Sequence, residues 1–94
     1  MSFIEKIKTD MYSAMKDKKQ YKSIILRSAL AKLKEAEINS KKPITYKQCI
    51  SIIKTMIKQR KESVDLYLKG NRKDLANIEK REYKTLEKYI PEMM

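Results

Sequence analysis

Apolar residues recur along the chain with the period of about 3.6 residues that marks amphipathic helices, in four segments bounded by helix start or stop signals. Ser2 and Glu5 have the spacing of a capping box, in which the hydroxyl accepts a first-turn N–H and the carboxylate reaches back. The apolar residues of the first segment share one helical face: Ile4, Ile7, Met11, Ala14 and Met15. This pattern predicts a first helix over about residues 2–17.

The second segment is apolar around well over half of its circumference. Its apolar residues are Tyr21, Ile24, Ile25, Leu26, Ala29, Leu30, Ala31 and Leu33. A helix of this kind must touch neighbours on more than one side. We therefore predict a central helix over about residues 19–38, followed by a loop in which Pro43 forbids a continuous helix.

The third segment begins with a second capping-box signal. Thr45 and Gln48 have the required spacing, and helical periodicity continues from them for about six turns. Gly70 stands where a residue in the left-handed conformation commonly ends a helix. We therefore predict a third helix over about residues 45–69.

The fourth segment completes an all-helical chain. Asn71 is placed to cap it, Asp74 lies in the first turn at the positive end of the helix dipole, and Pro91 closes it. Its apolar face carries Leu75, Ile78, Leu86 and Ile90. We predict a helix over about residues 72–90, and so a single all-α, four-helix compact domain over residues 1–94.

The composition agrees with one small helical domain. The chain has 94 residues with one Gly and two Pro, enough for a single core but with little material for tight β turns. No stretch approaches the roughly 20 apolar residues of a membrane span, and the amino terminus has no signal-peptide pattern. Cys49 is the single cysteine, which excludes an internal disulfide. We therefore expect a cytoplasmic protein with no membrane association.

Charge and missing residue types narrow the function. The formal net charge is +11, from 23 Lys and Arg against 12 Asp and Glu. This excess favours RNA, DNA or acidic protein surfaces as partners, although lysine is also an ordinary solvated helix residue. With no His and one Gly, the chain lacks the residues that catalytic metal sites, Ser–His pairs and phosphate loops need. We predict no metal, no cofactor and no catalytic residue.

Two charged residues interrupt the apolar stripes of the third and fourth helices. The third stripe comprises Tyr46, Ile50, Ile53, Ile57, Val64 and Leu68, and Arg60 falls inside it. Glu82 lies between Ile78 and Leu86 on the fourth. Helices joined by a short turn at Gly70 lie antiparallel, which brings Arg60 and Glu82 to similar distances from the turn. We predict a bidentate ion pair that fixes helix register, with a ligand clamp as the alternative.

Four lysines form a basic ridge along one edge of the third helix. They are Lys47, Lys54, Lys58 and Lys61, at spacings of 7, 4 and 3 residues. Such a ridge could follow a phosphate backbone, each contact releasing a counterion, or it could be an ordinary solvated face. Arg72 and Lys73, at the start of the fourth helix, complete the set of candidate nucleic-acid-binding residues. Few aromatic side chains are available for base stacking, so we expect recognition of shape and backbone.

Three stretches carry a more specific pattern, which resembles the YqeY family. The run ILRSALAKLK over residues 25–34 is similar to a family helix, and KQRKES over 58–63 with YLKGNRKDL over 67–75 is similar to its Lys-Gln-Arg-Arg-Asp-Ser … Ala-Gly-Arg-x-Asp-Leu motif. The chain then ends as the family helix does, with two glutamates before Leu, Tyr and Pro. The motif residues are Arg27, Lys58, Gln59, Arg60, Ser63, Gly70, Arg72, Asp74, Leu75, Tyr89 and Pro91.

The resemblance implies a link to tRNA. YqeY-like proteins are similar to the C-terminal tail of the GatB component of the glutamine-dependent aspartyl/glutamyl-tRNA amidotransferase. That enzyme is a carbon–nitrogen ligase, and its tail helps to hold misacylated tRNA while the chemistry occurs elsewhere. Family members usually continue after the Leu-Pro with a second, smaller helical bundle. The chain is therefore expected to match the N-terminal subdomain, without the C-terminal one.

The function that follows is a non-catalytic, tRNA-associated accessory domain of the amidotransferase-tail type. Its expected partner is tRNA or a complex of tRNA with an amidotransferase or synthetase. The alternative is a helical protein-interaction module with a basic surface and no role in RNA binding. A free-standing amidase or ligase is disfavoured, since the chain has neither the nucleophile arrangement nor the nucleotide loop that it would need.

Overall fold

The computed structural model describes residues 2–93, which form four α-helices and a terminal 3-10 turn. The helices are α1 (Phe3–Lys16), α2 (Gln20–Ser40), α3 (Tyr46–Lys69) and α4 (Lys73–Glu87), followed by a 3-10 helix over Pro91–Met93. The prediction of an all-α, four-helix domain is confirmed. Among the helices described, none is long and apolar enough to cross a membrane.

The predicted start signals form to different extents. At α3 the capping box is complete, since Gln48 N donates to Thr45 Oγ1 at 3.1 Å and Thr45 N donates to Gln48 Oε1 at 2.7 Å. At α1 the Ser2 hydroxyl accepts a hydrogen bond from Glu5 N at 3.2 Å. The starts of α2 and α4 have no side-chain cap.

The turn between α3 and α4 differs by one residue from the sequence prediction. Gly70 has φ −90° and serves as the C-cap, whereas Asn71 has φ 59° and is the left-handed residue. Arg72 N bonds Tyr67 O at 2.8 Å and Asn71 N bonds Leu68 O at 3.2 Å, the two bonds of a Schellman motif. Asn71 therefore ends α3 instead of capping α4, because asparagine tolerates left-handed backbone better than most residues.

A second turn of the same kind joins α1 to α2. Lys18 is its left-handed residue, at φ 58°, and Lys19 N bonds Ala14 O at 2.8 Å while Lys18 N bonds Met15 O at 3.1 Å. No glycine or asparagine marks this break in the sequence. The Schellman bonds, which satisfy carbonyls at the end of α1, hold the lysine in its unfavourable conformation.

The fourth helix ends earlier than predicted, at Glu87 instead of near residue 90. Beyond it the backbone tightens into bonds to the third preceding residue, with Tyr89 N to Leu86 O at 3.0 Å and Ile90 N to Glu87 O at 3.1 Å. The residue before a proline is disfavoured in helical geometry, so Pro91 accounts for the early end. Tyr89 and Ile90 are nevertheless buried.

The helices pack as two hairpins, α1–α2 and α3–α4. Helix α2 packs along α1 and also contacts α3 and α4, the central position that its apolar girth predicts. The apolar surface of α2 is not fully covered by the other helices, because Tyr21 and Ile24 are exposed. The buried core is contributed by all four helices and comprises Ile7, Met11, Ile25, Leu26, Ala29, Leu30, Leu33, Cys49, Ile50, Ile53, Met56, Ile57, Leu86, Tyr89 and Ile90.

Candidate nucleic-acid interface

A groove of about 560 Å³ lies between the start of α2 and the second half of α4. We call it the basic groove. Six cationic side chains line it: Lys18, Lys19, Lys22, Arg81, Lys84 and Lys88. The other lining residues are Gln20, Tyr21 and Thr85, so none of the described residues that line it is acidic.

Two separate elements bring these cations together. The left-handed turn at Lys18 directs the chain from α1 into α2, and it places the first cations at one wall of the groove. The opposite wall is the second half of α4 with its C-cap, where Arg81, Lys84 and Lys88 recur at spacings of 3 and 4 residues and therefore share one helical face. Within residues 2–93 none of the six takes part in an ion pair. The groove therefore concentrates positive charge, and an acidic side chain, Asp10, lies in an adjoining groove that shares Lys22 and Lys88.

An aromatic ring lies inside this charged groove. The guanidinium carbon of Arg81 lies 4.6 Å from the centroid of the Tyr21 ring, within the range of a cation–π contact. Tyr21 is still 47% exposed. The contact joins the two walls of the groove and leaves ring surface open to a ligand.

An adjoining groove contains a part-buried hydrogen bond between two side chains. It is lined by Lys22 and Lys88, shared with the basic groove, and by Asp10 and Tyr89. The Tyr89 hydroxyl donates a short hydrogen bond to Asp10 Oδ2. Burial, with the hydrogen bond and negative charge of Asp10 adding to it, raises the pKa of Tyr89 well above its ordinary value. The hydrogen bond ties the end of the α3–α4 hairpin to α1.

The predicted basic ridge on α3 is exposed but partly neutralised. Lys54 Nζ lies 3.1 Å from Glu92 Oε1, and this hydrogen bond lowers the pKa of the Glu92 carboxyl. Lys61 Nζ lies 3.2 Å from Glu87 Oε2 and 5.2 Å from the centroid of the Tyr83 ring on α4. Lys47 and Lys58 are exposed, with no ion pair among residues 2–93.

The two candidates at the start of α4 differ from each other. Arg72 forms a bidentate pair with Asp74, with Nε–Oδ1 at 3.2 Å and Nη2–Oδ2 at 3.1 Å. The hydrogen bond from the guanidinium lowers the pKa of the Asp74 carboxyl. Lys73 is exposed and has no ion pair within the described part of the chain. The Arg72 guanidinium is thus already paired with Asp74, whereas the Lys73 ammonium is available to contact a ligand.

Arg60 and Glu82 are brought together, but not in the bidentate geometry expected. Arg60 Nε lies 3.8 Å from Glu82 Oε1, and the two side chains are 20% and 16% exposed. Arg60 Nη1 reaches the carbonyl of Met56 at 3.5 Å, while the buried Nε has no hydrogen-bond partner. Burial raises the pKa of Glu82, nearby Glu79 adds to the rise, and Arg60 opposes it. Desolvation therefore outweighs attraction at this pair.

Comparison with known proteins identifies the family of this helical chain. A protein-family model described as "Yqey-like protein" matches residues 4–94. The chain belongs to the YqeY-like family. The identification confirms the resemblance seen in the sequence motifs.

Three fungal proteins are among the relatives of this YqeY-like chain. "Altered inheritance of mitochondria protein 41, mitochondrial" of Eremothecium gossypii is 35% identical over 85 residues, which cover 89% of this chain and 46% of the relative. The protein of the same name from Vanderwaltozyma polyspora is also 35% identical, with the same coverage. An uncharacterized protein of Schizosaccharomyces pombe is 28% identical over 92% of the chain and 70% of its own length. The chain spans about half the length of the first two relatives.

The names of these relatives contradict our expectation of a cytoplasmic protein. Several of them are named as mitochondrial. The expectation rested on the single cysteine and the absence of a signal-peptide pattern. Cysteine count does not distinguish the cytosol from the mitochondrion, and neither does the absence of a signal-peptide pattern. The expectation of a cytoplasmic protein was therefore wrong.

The remaining YqeY motif residues lie mostly at positions with local structural roles. Arg27 is exposed on α2, with Nη2 3.8 Å from Met15 Sδ, and Ser63 Oγ donates to Gln59 O at 3.1 Å within α3. Leu75 is half-buried, and Pro91 begins the 3-10 helix. The motif therefore follows residues 58–75 and the end of the α3–α4 hairpin more closely than it follows the basic groove.

None of the six cations of the basic groove was among our sequence candidates. One signal was available: Arg81, Lys84 and Lys88 fall at helical spacing on α4. The sequence gives no indication that this face meets the α1–α2 turn, because the two segments are more than sixty residues apart in the chain. The site depends on how the two hairpins pack.

Proposed function

We propose that this YqeY-like domain is a non-catalytic, tRNA-associated accessory domain of the amidotransferase-tail type. The observation that carries the proposal is the basic groove, in which six cations line one surface with no acidic residue among its described lining. In this proposal the glutamine-dependent carbon–nitrogen ligase chemistry belongs to another protein. The mitochondrial names of its relatives favour a mitochondrial tRNA as partner.

Counterion release explains why unpaired cations in one groove favour RNA. Each lysine or arginine that contacts a phosphate releases condensed counterions, and affinity then falls steeply as salt rises. If four to six of these side chains contact phosphates, the slope of log K against log salt is about −3 to −5. The ridge contributes less, because Lys54 and Lys61 already have carboxylate partners.

The test is a salt titration of tRNA binding with charge-matched variants. Lys84→Gln/Lys88→Gln removes two cations of the groove, and Lys32→Gln/Lys34→Gln removes two exposed lysines of α2 outside it. We expect the groove variant to bind more weakly and to flatten the slope by about 1.5, with the control close to the parent. Equal effects of the two variants, or no tRNA binding at low salt, would refute the proposal.

The competing function is a helical protein-interaction module with a basic surface and no role in RNA binding. On the α3–α4 hairpin Leu66 is 68% exposed, Leu68 is 42% exposed and Ile78 is 38% exposed. Exposed apolar side chains such as these can contribute to a protein contact. A failure of tRNA binding at low salt, with the fold intact by circular dichroism, would favour this function.

A further inference from the structure

We infer that Tyr21 and Arg81 form a stacking site inside the basic groove, and that the RNA bound there carries an unpaired nucleotide whose base stacks on the tyrosine. This inference rests on the proposed function and specifies its ligand. It concerns a residue that the charge pattern does not identify. A continuous duplex, whose bases are stacked on one another, cannot supply such a nucleotide without opening.

Tyr21 takes no part in the contacts that join Phe3, Tyr46 and Tyr89, and it lies apart from Tyr83. Phe3 packs edge-on against Tyr46 and Tyr89, with ring centroids 5.7 and 6.0 Å apart, and Tyr83 is half-buried beneath Lys61. Among the described residues that line the basic groove, Tyr21 is the one aromatic side chain. An exposed ring beside six cations is thus specific to this groove.

Arg81 prepares the ring for stacking. Its guanidinium lies 4.6 Å from the ring centroid, so the tyrosine is held between the walls, and 47% of the residue remains exposed. A base can then stack at a lower cost in side-chain entropy than on a freely rotating tyrosine. An arginine beside the ring also offers a second planar surface for stacking.

The size and charge of the groove agree with one or two nucleotides. Its volume of about 560 Å³ lies within the range of roughly 300–1,000 Å³ typical of sites that enclose small ligands. Lys18 and Lys19 on one wall and Lys84 and Lys88 on the other are placed for the phosphates on either side of the stacked base. The combination of a stacking ring and a cationic track is typical of single-strand binding sites.

The experiment compares a 12-nucleotide single-stranded RNA, a blunt duplex of the same sequence and a nucleoside monophosphate, each by fluorescence anisotropy or competition. The variants are Tyr21→Ala, Tyr21→Phe and Tyr12→Ala. Tyr12 is a matched control, because it is 54% exposed and lies outside the groove lining. Circular dichroism checks that each variant folds.

We expect Tyr21→Ala to weaken single-strand binding about 5- to 30-fold, with the salt slope unchanged because no charge is lost. Tyr21→Phe should keep the affinity of the parent, Tyr12→Ala should have no effect, and the duplex should bind equally to all variants. The monophosphate should bind far more weakly than the 12-mer.

The outcomes separate this inference from the proposed function. If RNA binds with the expected salt slope but Tyr21→Ala binds like the parent, the stacking site is wrong and the accessory-domain proposal stands. If the duplex loses as much affinity as the single strand, or if the monophosphate binds as tightly as the 12-mer, the inference also fails. If the parent binds no RNA at low salt, the proposed function itself is wrong.

Discussion

The α3–α4 hairpin is packed very differently in its inner and outer halves. In the inner half the buried residues are Cys49, Ile50, Ile53, Met56 and Ile57 from α3 and Leu86, Tyr89 and Ile90 from the end of the hairpin. They pack against α1 and α2 residues in one core. In the outer half, between residues 58 and 85, only Val64 and Ala76 are buried.

The comparison shows that an apolar stripe does not by itself determine burial. The stripe of α3 continues into the outer half as Val64 and Leu68, yet Leu68 is 42% exposed. At the inner half a second layer, formed by α1 and α2, covers the stripe. The outer half has contacts mainly between its own two helices, with Arg60 and Glu82 in the seam and Arg81 reaching Tyr21 of α2. The stability of the outer half therefore depends less on buried large apolar side chains than the stability of the inner half does.

The largest expected effect is a direct test of this difference with one substitution at two places in α4. Leu86 is fully buried in the inner half, so Leu86→Ala should lower the free energy of unfolding by about 3 kcal/mol. Leu75 is half-buried in the outer half, and Leu75→Ala should cost about 1 kcal/mol or less. Urea unfolding measures both. Equal losses would mean that another surface covers the outer half in solution.

The second test is a double-mutant cycle on Arg60 and Glu82. The sequence pattern alone predicts that each single replacement by alanine costs about 3 kcal/mol, as for a buried ion pair. With Nε–Oε1 at 3.8 Å and partial exposure of both side chains, we now expect about 1–2 kcal/mol for each and a coupling that is measurably above zero but below about 1 kcal/mol. Additive losses would mean that the pair does not contribute to helix register.

The third prediction concerns how the stability of the outer half changes with pH. The contribution of Glu82 should be smaller than the two effects above, and its sign should be opposite to that of most carboxylates. Burial raises the folded-state pKa of Glu82 above 4.5, so the folded protein binds more protons than the unfolded one in that range. The contribution of Glu82 to stability is therefore fully present below about pH 4.5 and is lost as pH rises through its folded pKa. Glu82→Gln should remove this loss in urea titrations between pH 4 and 7. A parent whose stability falls no more steeply with rising pH than that of the variant would contradict it.

The smallest effect is expected at the tip of the hairpin. Gly70 has φ −90°, and a Cβ there would meet Leu66 O and Tyr67 O at an ordinary 3.7 Å. Gly70→Ala should therefore raise stability by about 0.5 kcal/mol, because alanine has less freedom in the unfolded chain. The matched variant is Asn71→Gly. It should also raise stability, because residue 71 is left-handed and glycine adopts this conformation without steric cost. A loss of more than 1 kcal/mol in Gly70→Ala would mean that Gly70 itself is left-handed, as the sequence pattern suggested.

Features of this protein that depend on nearby residues were determined by the sequence itself. The four helices, the Thr45–Gln48 capping box and the break at Pro43 follow from contacts within a few residues, and the structure contains each of them. The family was also identifiable, since its motifs are linear. The candidate site residues do not share this certainty. The lysine ridge was chosen from residue spacing, and its role in nucleic-acid binding stays a prediction.

Features that depend on distant residues were decided by the tertiary structure. Helical periodicity cannot show that Glu92 and Glu87 lie beside Lys54 and Lys61, because these partners are separated by 38 and 26 residues. It cannot show that the turn at Lys18 faces α4 either, and so the basic groove was missed. Periodicity specifies a face of each helix, whereas a groove or an ion pair requires two faces to be placed in register, and that placement is set by the packing of the whole core.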